Sequence, residues 1–343
     1  MTACVRALTL AAVAIAAAAA ATLKPVTGPV QVGKLRMSPI GCGTWAWGNQ
    51  LLWGYSQEED KELQQTFDFL TSKGVNWFDT ADSYGTGKLT GQSEKLLGEF
   101  LAKQKSRKKV SFCTKIAPFP WRVGKGAMLR SFAASKDRMQ GPVDMVQLHW
   151  PPSLGWQQDA YLDAFSEIVG GGDAGQIGMS NFGPVGLRKV DQALKDRGQR
   201  VQFSLLSRGP LTSGLTDVCA ELGIQPIAYS PLALGLLTDK YSMSNLPKGP
   251  RGLLFREYLP EIYPLLNVLR EIAKQRRKTV PQVALNWNLQ KGFLVLVGLR
   301  SVEQARENLG AVGWALSTAE VEALESAAAK VPKTLIQNPN QSS

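Results

Sequence analysis

Eight times between residues 38 and 309 a short apolar run is followed by a longer amphipathic stretch, and this alternation constrains the fold more than any other feature of the chain. Short apolar runs separated by helical patterns mark buried parallel strands joined by crossover helices. The strand-like runs occupy 38–43, 75–79, 110–115, 144–149, 176–180, 201–204, 225–229 and 294–298. Helical spacing follows them at 57–72, 93–102, 125–138, 158–169, 184–197, 215–222, 264–277 and 302–309. Eight consecutive units close as a (β/α)8 TIM barrel. An open doubly wound sheet would instead carry G-x-G-x-x-G between its first strand and helix. Only Gly41, Cys42, Gly43 and Thr44 stand there, and the triple glycine 170–172 precedes a strand, as a flexible connection would.

Around these units the chain has two additions. A helical pattern at 318–329, opened by Ser317 and Glu320 in capping-box spacing, is an extra C-terminal helix. Residues 1–22 join Arg6 to an apolar run over 8–21 and an alanine tract with an A-x-A-like site, the pattern of a cleaved address rather than a spanning helix. Residues 1–29 are thus expected to be a targeting or disordered extension and 30–343 a single domain, with no stable membrane span in the mature protein. The lack of acids before Glu58 suits organelle import, the chloroplast first, with cytoplasmic and secretory destinations as alternatives. The longest break in the alternation, 238–264, holds Pro247, Gly249, Pro250, Gly252 and Pro260 and reads as a functional loop.

Composition enters as a set of exclusions. Of the 343 residues, 39 are Lys or Arg and 28 Asp or Glu, a formal charge of +11. The excess is spread out, and no nucleic-acid-binding pattern accompanies it. Its densest patch, Lys103, Lys105, Arg107, Lys108 and Lys109, reads as a solvated connection before the third strand. Cys4, Cys42, Cys113 and Cys219 lie far apart with no CxxC, which removes a zinc site and a dense disulfide framework. His149 is the single histidine, so any chemistry that needs paired imidazoles is excluded.

In such a barrel the reactive side chains come from the carboxyl ends of different strands. Strand two ends in Asp79, five residues before Tyr84; strand three ends in Lys115; strand four ends in His149. Each has an ordinary alternative: a turn cap, a packed loop ring, a solvated strand end, a core imidazole. Together they are complementary. A free phenol, with a pKa of about 10, is a poor proton donor at neutral pH, and a neighbouring cation favours its phenolate. Lys115 is the candidate cation, Asp79 the partner a buried ammonium requires, and His149 a neutral donor to a carbonyl oxygen. The set describes a proton donor matched to a polarised C=O.

Five motifs then meet a family. FDTADSYG from Phe78, Thr114 with Lys115, LHWP from Leu148, GMSNF from Gly178 and AYSPLALGLLTDKY from Ala228 resemble the aldo-keto reductase superfamily over about residues 30–330. The nearest likeness is to the branch of potassium-channel β-subunit-like and chloroplast oxidoreductases. The resemblance implies a barrel that binds NADPH (or NADP+) extended, with Asp79, Tyr84, Lys115 and His149 as catalytic tetrad. It implies Thr44 and Trp45 at the nicotinamide end, Ser180, Asn181 and Gln202 on its carboxamide, and Tyr229 stacked on its face. Ser230, Pro231, Leu232, Gly235, Thr238 and Lys240 would follow the pyrophosphate, with Arg251 closing over it. After the last strand, Arg300, Gln304, Glu307 and Asn308 would grip the adenosine, Arg300 taking the 2′-phosphate; Ser301 with Gln304 also reads as a helix cap. Trp47, Trp53, Phe119, Trp121 and Trp150 sit in loops on the same rim and read as an aromatic wall for substrate or as loop anchors. The expected partner is a small-molecule carbonyl compound: pyridoxal, a sugar-derived aldehyde or a lipid-peroxidation aldehyde. A monomer is expected. The competing reading is an NADP(H)-binding regulatory or redox-sensing subunit with little turnover.

Overall fold

A computed structural model describes residues 22–104, 110–193, 197–202 and 208–332. Its first two strands, β1 (Val30–Val32) and β2 (Leu35–Met37), form an antiparallel hairpin. Eight more follow: β3 (Ile40–Gly43), β4 (Trp77–Asp79), β5 (Ser111–Ile116), β6 (Val143–Leu148), β7 (Ala174–Ser180), β8 (Arg197–Gln202), β9 (Gln225–Tyr229) and β10 (Leu294–Gly298). These eight are parallel and hydrogen-bond in the closed order β10-β3-β4-β5-β6-β7-β8-β9. Closure leaves no free sheet edge and brings every strand's carboxyl end to one rim.

The strand interiors are almost wholly buried, which is why they read as continuous apolar runs rather than alternating ones. The barrel wall is tight enough to dictate residue size. A Cβ on Gly41 would lie 2.2 Å from the ring of Trp77 on the neighbouring strand, so β3 needs a glycine there. The hairpin covers the opposite, amino end: Val32, Leu35 and Met37 are buried, and Ser38 N–H donates to Asn76 Oδ1 just ahead of β4. That plug went unread in the sequence because two three-residue strands carry too little periodicity. Val26, placed by the sequence in the extension, is buried and donates its N–H to the Leu289 carbonyl at 2.8 Å. Residues 1–21 of the expected extension 1–29 lie outside the described residues, as do 105–109 of the basic patch.

Several expectations are corrected. The sixth barrel strand, Arg197–Gln202, starts four residues before the expected 201–204, whose last two residues lie outside the described ones; backbone pairing with β7 and β9 sets its start, and the apolar run begins only at its end. The preceding helix is Pro184–Ala193 and stops short of Arg197. The expected loop 238–264 is helical from Pro250, in one 27-residue helix Pro250–Arg276 that holds Pro260 and Pro264 inside it. Pro250 suits a helix start, and Phe255, Leu259, Ile262, Leu265, Leu266 and Leu269 form a buried stripe at helical spacing. Burial of that stripe outweighs the hydrogen bonds the two internal prolines cannot make. Helix Val280–Gln290 was not read from the sequence, because nine of its residues are buried, Asn286 and Asn288 among them, so no polar face contrasts with an apolar one. The C-terminal helix Thr318–Ala329 starts in the expected capping box of Ser317 and Glu320, and Arg276 pairs with Glu320 to tie it to the long helix.

No described helix is long and apolar enough to cross a membrane.

Candidate active site

Asp79, Lys115 and Gln147 stand on three adjacent strands, and the ladder sets their heights. Asp79 is level with Cys113, and Lys115, two residues further along and so on the same face, is level with Gln147. Lys115 Nζ lies 2.7 Å from Asp79 Oδ2 and also donates to the Thr80 carbonyl. The second carboxylate oxygen, Oδ1, accepts from Gln147 Nε2 at 2.8 Å. Lysine and aspartate are both withdrawn from solvent, so ammonium and carboxylate must satisfy each other.

Tyr84 stands above this pair. The turn that carries it is fixed by backbone bonds to the next strand, Thr80 N–H to Cys113 O and Asp82 N–H to Lys115 O, and by Gly91 N–H to Tyr84 O at 2.8 Å. Gly85 follows at φ 118°, and a Cβ there would lie 1.7 Å from the Leu89 carbonyl oxygen, so the turn after Tyr84 requires glycine. Lys115 Nζ lies over the Tyr84 ring, 4.6 Å from its centre. The ring of His149 meets Tyr84 edge-on at 5.7 Å, and His149 Nδ1 is 3.4 Å from Ser83 Oγ. Tyr84 and His149 line one cavity of about 920 Å³, with Asp79 and Lys115 beneath its floor. That volume is at the upper end for a ligand pocket.

From the tetrad the cavity runs across the ends of β7, β9 and β10. Trp45, Ser180, Asn181 and Tyr229 line its near part. Asn181, at φ 66°, donates to the His149 carbonyl and accepts from Tyr229 OH at 2.7 Å, so its amide is locked between the two strand ends. Ser230, Pro231, Leu232, Gly235, Thr238 and Lys240 line the middle, with Arg251 reaching in from the long helix. Arg251 donates to the Leu234 carbonyl, its Nε is buried without a partner, and burial lowers its pKa from the ordinary arginine value. Arg300, Gln304, Glu307 and Asn308 line the far end, where Ser301 caps helix Val302–Leu309 by accepting from Gln304 N–H.

Other expected site residues stand elsewhere. Thr44 turns away from the cavity: its hydroxyl donates to the Asp79 carbonyl and lies 2.5 Å from Ser93 Oγ, in a buried hydroxyl knot behind β4. Trp47 is fully buried, with its indole N–H on the Leu299 carbonyl and its ring against Phe100; it anchors its loop and does not line the cavity. Trp53 lines the cavity, but at the arginine end, with the Arg251 guanidinium 4.5 Å from its ring. The Gln202 side chain lies outside the described residues. Trp150 lines the cavity beside His149, 4.6 Å between ring centres; Phe119 meets Trp150 edge-on and Trp121 stacks on Phe119 at 4.6 Å. The three rings make a ladder from the imidazole outward, ending in a Trp121 that is 74% exposed.

Sequence reasoning missed the supports. Gln147 sits two residues before His149 and reads as one more residue of an apolar strand. Asp82, paired with Arg122, ties the Tyr84 turn to the aromatic loop, and its Oδ1 also accepts from Ala117 N–H. Burial pushes the Asp82 carboxyl up to about 6, against the opposing pull of Arg122. Glu59 pairs with Arg300 across the far end. None of these contacts leaves a spacing signal, because the partners are 35 or more residues apart.

Comparison with known proteins agrees with the geometry. The aldo/keto reductase family model matches residues 39–329. A chloroplastic pyridoxal reductase of Arabidopsis thaliana is 47% identical over 336 residues, 92% of each chain. A thermostable aldo-keto reductase solved with the inhibitor epalrestat shares the fold at a TM-score of 0.71 and 25% identity, covering 87% of this chain and 99% of that one. An aldo-keto reductase from Klebsiella pneumoniae solved with NADPH has a TM-score of 0.71 at 23% identity, covering 92% and 98%. With a family match over most of its length and the motifs gathered at one rim, this chain belongs to the aldo/keto reductase family, the carbonyl-reducing oxidoreductases built on this barrel.

Proposed function

We propose that the protein reduces aldehydes or ketones to alcohols with NADPH, taking its proton from Tyr84, and that it works in the chloroplast on small aromatic aldehydes of the pyridoxal kind. The observation that carries the mechanism is the single ammonium of Lys115 set between the Asp79 carboxylate and the Tyr84 ring. The 47% identity to a chloroplastic pyridoxal reductase supports both substrate class and compartment.

The cavity residues suit the cofactor. A locked neutral amide at Asn181 and the Ser180 hydroxyl match a carboxamide, and the flat ring of Tyr229 matches a nicotinamide face. Arg251, with a buried Nε that lacks any partner, and Lys240 match a pyrophosphate, and Arg300 a 2′-phosphate. When bound, the reduced nicotinamide supplies the hydride to the carbonyl carbon. Tyr84 donates the phenolic proton to the carbonyl oxygen. Lys115 stabilises the phenolate left behind, and Asp79 with the Thr80 carbonyl holds the ammonium in place. His149 donates to the same oxygen and orients it, and Trp150 walls the substrate beside it.

The test is Tyr84→Phe. Removing one general acid lowers aldehyde turnover at least about 100-fold while NADPH affinity in a fluorescence titration stays within about two-fold. Unchanged turnover in the variant would remove the mechanism. Tight NADPH binding by the wild type with negligible reduction of every aldehyde would favour a sensing subunit instead.

A further inference from the structure

Arg300 stands where a phosphate would be gripped, yet its guanidinium is already engaged. Nη2 lies 2.5 and 2.6 Å from the two carboxylate oxygens of Glu59, and Nη1 donates to the Trp53 carbonyl at 2.8 Å. Both acceptors belong to the segment between β3 and helix Asp60–Ser72, which is thereby tied across the end of the cavity to the turn after β10. The same segment carries the Trp53 ring that lies against Arg251. Glu303 and Glu307 also line the cavity, so together with Glu59 three carboxylates offset the charges of Lys240, Arg251 and Arg300.

A carboxylate in that place treats two dinucleotides differently. The adenosine 2′ position carries a phosphate of nearly two negative charges in NADPH and a neutral hydroxyl in NADH. The phosphate reaches Arg300 only by breaking the pair with Glu59 or by sitting against its negative charge; the hydroxyl does neither. We propose that Glu59 is a specificity-determining residue that restrains NADPH binding selectively, by competing with the 2′-phosphate for Arg300. The inference rests on the NADPH reading above and adds a residue that the reading does not use. A carboxylate can also help an anion site by holding its arginine in place. Here repulsion outweighs that benefit: the side chains are 28% and 27% exposed, so charges are only partly screened, and the Trp53 carbonyl already fixes the guanidinium.

Fluorescence titrations of NADPH and NADH against the full-length wild type, Glu59→Gln and Arg300→Met test the proposal, with native folding checked by thermal unfolding. Glu59→Gln tightens NADPH about five-fold, the scale of a favourable partly exposed ion pair, and leaves NADH within about two-fold. Arg300→Met weakens NADPH and leaves NADH unchanged. Unchanged or weaker NADPH binding in Glu59→Gln, or an equal shift for both dinucleotides, overturns the proposal. If Arg300→Met fails to separate the two dinucleotides, the 2′-phosphate placement itself is wrong, and the proposal falls with it for that distinct reason.

Discussion

Replacing Lys115 by Met removes one half of an ion pair that has almost no contact with water. The side chains of Lys115 and Asp79 are 0% and 3% exposed, and the Asp79 carboxylate keeps the Gln147 Nε2 donor at 2.8 Å. Stranding one member of a buried pair destabilises a protein by about 3–5 kcal/mol, and the surviving Gln147 bond puts this case at about 3. The methionine fills most of the lysine stem's volume, so little of that loss comes from a cavity. The discriminating variant is therefore Lys115→Met combined with Asp79→Asn. A neutral amide still accepts from Gln147 and strands no charge, so the double variant recovers about 2 kcal/mol of the loss. Turnover behaves differently. With no ammonium beside Tyr84, both variants lose at least about 100-fold in aldehyde reduction. Urea unfolding followed by tryptophan fluorescence, with steady-state reduction of an aromatic aldehyde, measures the two effects together. A single variant within about 1 kcal/mol of wild type, or an Asp79→Asn effect that merely adds to the first, would refute the buried-pair argument.

Three further outcomes are expected. The Asp82 carboxyl titrates at about 6 in the folded state and near 3.8 when exposed, so between those values the native state binds the extra proton and its stability falls as pH rises, flattening above about pH 6. At about 1.4 kcal/mol per pKa unit this amounts to at most about 3 kcal/mol, and Asp82→Asn removes it: the stability difference between the two proteins in urea changes between pH 4.5 and 7, and a constant difference would sink the assignment. Ser317→Ala breaks the capping box of the C-terminal helix and lowers stability by about 1 kcal/mol in thermal unfolding, whereas a change under a few tenths would mean that packing alone holds the helix start. Trp150→Ala raises KM for an aromatic aldehyde about ten-fold with NADPH affinity unchanged; an equal rise for a short aliphatic aldehyde would argue against stacking on the aromatic ladder.

The chain's own pattern determined the barrel. Strands buried on both faces must be continuously apolar and their crossover helices one-faced, so the eightfold alternation was visible without neighbours, and strands β9 and β10 and helices Val302–Leu309 and Thr318–Ala329 have the bounds that pattern marks. Polar residues at strand ends were equally legible, because a charge that interrupts an apolar run stands out locally. The Asp79–Lys115 pair beside Tyr84 followed from those strand ends, whereas the other pairings across the sequence needed the tertiary structure. Trp47 and Trp53 lie six residues apart in one loop, yet one is buried against Phe100 and the other lies beneath Arg251, a division set by which surface each ring meets. Thr44 faces a hydroxyl knot rather than the cavity, and 250–264 is helix in spite of its prolines, because burial against the barrel outweighs local preference. Gln147 beneath Asp79, Asp82 against Arg122 and Glu59 on Arg300 carry no signature of their own, since electrostatic partnership depends on distance in space and the chain records only distance along itself.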